Sequence, residues 1–151
     1  MAYPVTPEQS RRMAADLFNQ VWTLMEQSDR SREDDERMVH AAHASRYLWG
    51  EVGVPLNRAR GDWQLSRVYC LLGRCEPALH HAQCCLDECL SNALGGFDLA
   101  YAHESKARAL ALAGDTAAAA ASRRDAEQAA ADISDADDRA LLVADLATLP
   151  A

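Results

Sequence analysis

Three stretches of the chain place chemistry-bearing side chains at intervals of three and four. Arg60, Trp63, Arg67, Cys70 and Arg74 form the first stripe. Guanidinium groups beside an indole suit a carboxylate or another anion, because Arg offers a bidentate fork and Trp a flat apolar wall. Glu36, His40, His43 and Tyr47 form the second, and two imidazoles with a carboxylate one turn earlier can share a metal ion. No HExxH or ExxH element accompanies them, so a solvated helix face explains this stripe more simply. His80, His81, Cys84, Cys85 and Cys89 form the third, again without the CxxC spacing of zinc sites. No metal is therefore assigned. All five cysteines fall between residues 70 and 89, and in a chain with no visible secretory leader they read as thiols rather than a disulfide framework. Cys85 and Cys89 read as core residues. Cys70 differs, because its Arg neighbours could lower a thiol pKa. His103, Glu104 and Lys106 offer acid-base groups further on, but no nucleophile elbow, phosphate loop or dinucleotide fingerprint joins them. No catalytic residue and no cofactor is assigned.

The elements that must position these side chains are helices throughout. Apolar residues recur at three and four, and no run alternates over the length of a strand. Breakers divide the text into seven helices, over 7–27, 32–51, 56–72, 75–93, 97–113, 115–132 and 135–148. Thr6 and Gln9 can form a capping box ahead of Pro7, and Asp115 and Ser134 suit helix N-caps. A chain of 151 residues with 49% apolar content is long enough for one domain, 1–151, with its own core. No apolar run approaches the roughly 20 residues of a membrane span.

Shifting residues 62–85 by 41 places them over 103–126 and lays Gly73 on Gly114. Both blocks read helix, Gly bend, helix, with small residues at matching places: Ser66 and Ala107, Ala78 and Ala119, Cys85 and Ala126. Leu65, Ser66, Tyr69, Gly73 and Ala78 in one copy, and Ala107, Leu110, Gly114 and Ala119 in the other, resemble the tetratricopeptide repeat. The period is longer than the usual 34 or so. The resemblance implies an all-α, right-handed superhelix of about three helical hairpins, residues 7–51 supplying the first, with a C-terminal helix capping the exposed end. It also implies that the first helix of each pair lines a concave groove. Arg60, Trp63, Arg67 and Cys70 would then stand on that wall, with Tyr101, Glu104, Arg108 and Ala111 equivalent on the fifth helix. This reading requires Trp63 to be exposed. His103 and Lys106 fall at core positions of the pattern, so they must either reach solvent or pair with a carboxylate such as Asp62.

A net charge of −8 argues against a phosphate backbone as partner. Acidic excess is uneven, with residues 56–96 balanced and 97–151 at −5. Fourteen Arg against one Lys, together with abundant Ala, suit a GC-rich bacterial source, and the cytoplasm is the default compartment. These features point to a non-enzymatic module that binds a protein or peptide, with Arg60, Trp63, Arg67, Tyr101, Glu104 and Arg108 holding an acidic segment. Neither nucleic acid nor membrane is an expected partner. The competing expectation is a small-molecule or metal site between hairpins, possible for an enzyme, built from His40, His43, His103, Glu104 and Lys106.

Overall fold

The computed structural model describes residues 4–150, and every regular element among them is a helix. In chain order these are α1 (Pro7–Glu26), α2 (Arg32–Val52), α3 (Pro55–Leu71), α4 (Cys75–Ser91), α5 (Gly96–Leu112), α6 (Thr116–Ala130) and α7 (Ala136–Ala147). Their ends follow local chemistry. Thr6 Oγ1 accepts from Gln9 N at 3.1 Å while Gln9 Oε1 accepts from Thr6 N at 2.9 Å, which satisfies two otherwise orphaned donors. Ser31 and Asp34 repeat this box at the start of α2. Asp115 caps α6. At α7 the cap is Asp135, whose Oδ1 accepts from Asp138 N at 2.9 Å, and not Ser134, because the helix starts one residue later than the sequence suggests. Gly73 and Gly114, at φ +72° and +83°, turn the chain in the left-handed region where a Cβ is strained.

Consecutive helices pack as hairpins, α1 with α2, α3 with α4 and α5 with α6. The hairpins stack so that α3 lies against α2 and α1, and α5 against α4 and α3. α7 closes the far end against α5 and α6. Small residues permit the close approaches expected of them: Ser66, Ala78, Cys85, Ala107 and Ala126 are all buried, although Ala119 is half-exposed. Ser66 Oγ donates to the Ala78 carbonyl at 2.8 Å across the second hairpin.

One consequence of stacking decides the site. A helix at the end of a stack has a wet face, but α3 and α5 have neighbours on several sides and bury polar as well as apolar residues. Asp62, Gln64 and Ser66 on α3, and Glu104 and Ser105 on α5, are each at most 4% exposed. These polar groups need partners, and Gln64 Nε2, for example, donates to the Phe18 carbonyl of α1 at 2.9 Å. An aromatic layer of Trp22, Trp63, Phe97 and Tyr101 runs through the stack, with successive ring centroids 5.3, 6.2 and 4.7 Å apart.

Leu142 of α7 is fully buried in the core shared by α5 and α6, whereas Leu141 is half-exposed. Leu142→Ala should therefore cost about 2–5 kcal/mol and Leu141→Ala less than about 1 kcal/mol, as read from urea unfolding followed by circular dichroism. Equal effects would mean that α7 does not seal the stack.

Candidate functional site

An open concavity lies where the C-terminal turns of α1, α3 and α5 come together. Trp22, Met25 and Glu26 of α1, Arg67, Cys70 and Leu71 of α3, and Arg108, Ala111 and Leu112 of α5 line an open groove of about 680 Å³, with Pro150 at one edge. Each helix contributes residues at i, i+3 and i+4, the spacing that faces one side. Its walls are mainly apolar. Leu71 and Leu112 are each more than 40% exposed and add apolar surface to the groove.

The two arginines are anchored from beneath. Arg108 Nε and Nη2 donate to Glu104 Oε1 at 2.8 and 2.6 Å, and Nη2 also reaches the Asp145 carbonyl at 3.0 Å and Thr148 Oγ1 at 2.8 Å. Arg67 reaches Glu104 Oε1 at 3.3 Å and Asp145 Oδ1 at 3.4 Å. Tyr101 donates its phenol to Asp145 Oδ2 at 2.7 Å, and burial together with that carboxylate pushes the phenol well above its ordinary pKa. Glu104 is wholly buried, and desolvation pushes its carboxyl above the usual range while Arg108 and Arg67 pull it back. Asp145 and the arginines thus pin α7 to α3 and α5, and Arg67 Nε and Arg108 Nη1 carry no hydrogen bond among the described residues.

Of the six residues that the sequence assigns to hold the acidic segment, Arg67 and Arg108 line the groove, and so do Cys70 and Ala111 of the expected wall. Arg60 lies two turns away and pairs with Asp98 at 2.9 Å. Trp63 is half-buried in the aromatic layer with its indole nitrogen enclosed, so the exposed Trp63 wall that the sequence reading requires does not form. Trp22 supplies the indole instead. Tyr101, 1% exposed, and Glu104, 0% exposed, lie under the groove as supports. Cys70 lines the groove, but burial outweighs its Arg neighbours and pushes its thiol up to about 11, against the lowering the sequence suggests.

The other stripes separate. Among the described residues no group of three His, Cys, Asp or Glu could hold a metal ion. His40 is exposed, while His43 Nε2 meets the Tyr69 hydroxyl at 2.7 Å. His103 Nδ1 is 4.0 Å from Asp125 rather than near Asp62, and Lys106 is half-buried. Asp62 is engaged elsewhere, by Arg46 Nε and His81 Nδ1, both at 2.9 Å. That interhelical staple, and Asp145, are absent from the sequence reading. All five cysteines are free, with Cys85 and Cys89 buried as expected.

Comparison with protein-family models, with curated proteins and with solved structures finds no match. No helix among the described residues is long and apolar enough to cross a membrane.

Removing one partner from a buried ion pair leaves an uncompensated charge. Arg108→Ala should destabilise the chain by about 3–5 kcal/mol, and adding Glu104→Gln should restore most of that loss in a double-mutant cycle.

His43 and His103 are both held below the ordinary imidazole pKa, chiefly by desolvation. The unfolded chain then binds protons that the folded one refuses, so their contribution to stability falls as pH drops through about 6.5. His103→Gln should flatten this part of the pH–stability curve, and both rings should titrate below about 6.5 by NMR.

Proposed function

We propose that this chain is a helical-repeat binding module of the tetratricopeptide kind, and that its groove holds a peptide segment bearing apolar side chains and an acidic group. The single observation that carries the reading is the groove itself: three successive odd-numbered helices present the same i, i+3, i+4 face to one apolar concavity with two arginines in it. Hairpin stacking, the Gly bends at 73 and 114 and the register of 41 residues between the second and third hairpins support the repeat assignment. A cytoplasmic setting goes with five free thiols.

Apolar contact supplies most of the affinity in this reading. Burying a leucine side chain is worth about 1.5–3 kcal/mol, whereas an exposed Arg–carboxylate pair adds at most about 1 kcal/mol. After the cost of association, a short segment would bind in roughly the micromolar to millimolar range. Exposed Leu71 and Leu112 form the rims, and Trp22 offers a flat surface beside Met25.

Calorimetric titration with the blocked peptides Ac-Leu-Glu-Leu-Glu-Leu-NH2 and Ac-Leu-Lys-Leu-Lys-Leu-NH2 tests the reading. The acidic peptide should bind about tenfold tighter or more, a difference near 1.4 kcal/mol. Leu112→Asp should weaken it by about tenfold or more. Leu90→Asp, at a position 63% exposed and outside the groove, should leave binding unchanged. Equal binding of the two peptides, or none of either, sinks the proposal.

A further inference from the structure

We infer that the groove takes up its anion together with a proton, and that Glu104 accepts that proton. The inference rests on the groove reading above and adds a rule for which conditions load the site. Its basis is a charge balance. Arg67 and Arg108 are the cations of the groove, and Glu104 and Asp145 already match them from beneath. An arriving anion would leave three negative groups on two positive ones in a place where water cannot reach Glu104. Glu26 at the groove edge adds a further negative charge.

The geometry singles out which carboxylate gives way. Glu104 is 0% exposed, and its Oε1 does all the accepting, from Arg67 Nη1 at 3.3 Å and from Arg108 Nε and Nη2 at 2.8 and 2.6 Å. Its Oε2 is buried with no hydrogen-bond partner among the described residues. Two guanidiniums therefore do what water does for an exposed carboxylate, and an anion in the groove competes for both. Asp145 is less constrained: its side chain is 24% exposed and accepts the Tyr101 phenol as well as Arg67. When the guanidiniums turn toward a ligand, neutralising Glu104 costs one hydrogen-bonding opportunity, whereas leaving it charged costs the hydration of a buried ion.

Few other groups could absorb the proton. Facing Glu104 are Arg67 and the Cys70 thiol from α3, Arg108 and the Tyr101 phenol from its own helix, and Asp145 from α7. The arginines are already protonated, and the thiol and phenol are held in their protonated forms by burial. Buried residues of α6 are Ser122, Ala126, Ala129 and Ala130, none of them charged, and α4 contributes the buried thiols of Cys85 and Cys89. Glu26 stands at the exposed groove edge and pairs with neither arginine among the described residues, so the carboxylates held by the two guanidiniums are Glu104 and Asp145. Because binding consumes a proton, affinity must fall as pH rises, by up to about tenfold per pH unit for one full proton.

Octanesulfonate is a suitable probe, since it joins an apolar tail to an anion that does not itself titrate. Its binding heat, measured at pH values near 6.5 in two buffers of different ionisation enthalpy, gives the number of protons exchanged. The wild-type protein should take up a measurable fraction of a proton, up to one, per sulfonate bound. Asp145→Asn should keep that uptake and Glu104→Gln should lose it while still binding. Should Glu104→Gln fail to fold by circular dichroism, the infrared band of a protonated carboxyl appearing in the wild-type protein with bound sulfonate replaces it as the readout. Binding without proton uptake, uptake that persists in Glu104→Gln, or no such infrared band overturns the inference and leaves the groove reading standing. Absence of sulfonate binding overturns the inference too, and if neither blocked peptide binds the groove reading falls with it.

Discussion

A carboxylate with no contact to water stays charged only where cations hold it, and the packing of α3, α5 and α7 is arranged around that constraint at Glu104. Its side chain sits inside α5, where only Arg67 from the preceding hairpin and Arg108 from its own helix can compensate it. Each arginine has its hydrocarbon stem and several N–H groups committed inward, and what remains faces the groove. Removing the carboxylate would free the arginines; removing either arginine would leave the buried carboxylate with one cation in place of two. Groove and core therefore cannot be altered independently, which distinguishes this site from arginines scattered on a wet helix surface.

Asp145 extends the same network to the last helix. Its side chain takes a phenol from α5 and a guanidinium from α3, and its carbonyl accepts from Arg108. α7 has only two buried residues of its own, Leu142 and Leu146, so polar contacts do more to orient it than for the helices inside the stack. A second polar staple, Arg46–Asp62–His81, binds α2, α3 and α4 in a similar way. Stacked helices thus meet through small residues where backbones approach and through ion pairs where long side chains can bridge.

Helix positions were legible because breakers and caps act locally: Thr6, Pro7, Ser31, Gly73, Gly114 and Asp115 stand where the backbone ends or turns. The faces of α2 were legible for a related reason, since that helix has one dry side, with Met38, Ala41 and Ala42 buried and Tyr47 exposed. The faces of α3 and α5 were not. A helix enclosed by neighbours buries residues all round, and periodicity then says nothing about which polar group is a support and which reaches the groove. Trp63, Tyr101 and Glu104 share a stripe with Arg67 and Arg108 yet lie beneath them, because interhelical packing differs along a single face. Asp145 lay beyond any local signal, 78 residues from the arginine it meets. A sign of the groove was nonetheless present in the text: Arg67, Cys70 and Leu71 match Arg108, Ala111 and Leu112 under the shift that aligns the glycines.

The contact between Asp145 and Arg67 also has a meaning in time. During synthesis the first two hairpins emerge from the ribosome well before α7, with Arg67 in place but its Asp145 partner and the Pro150 edge of the groove not yet made. A nascent chain therefore lacks a finished pocket until residues 145–150 have cleared the exit tunnel. The groove is thus a property of the completed stack and not of any one hairpin.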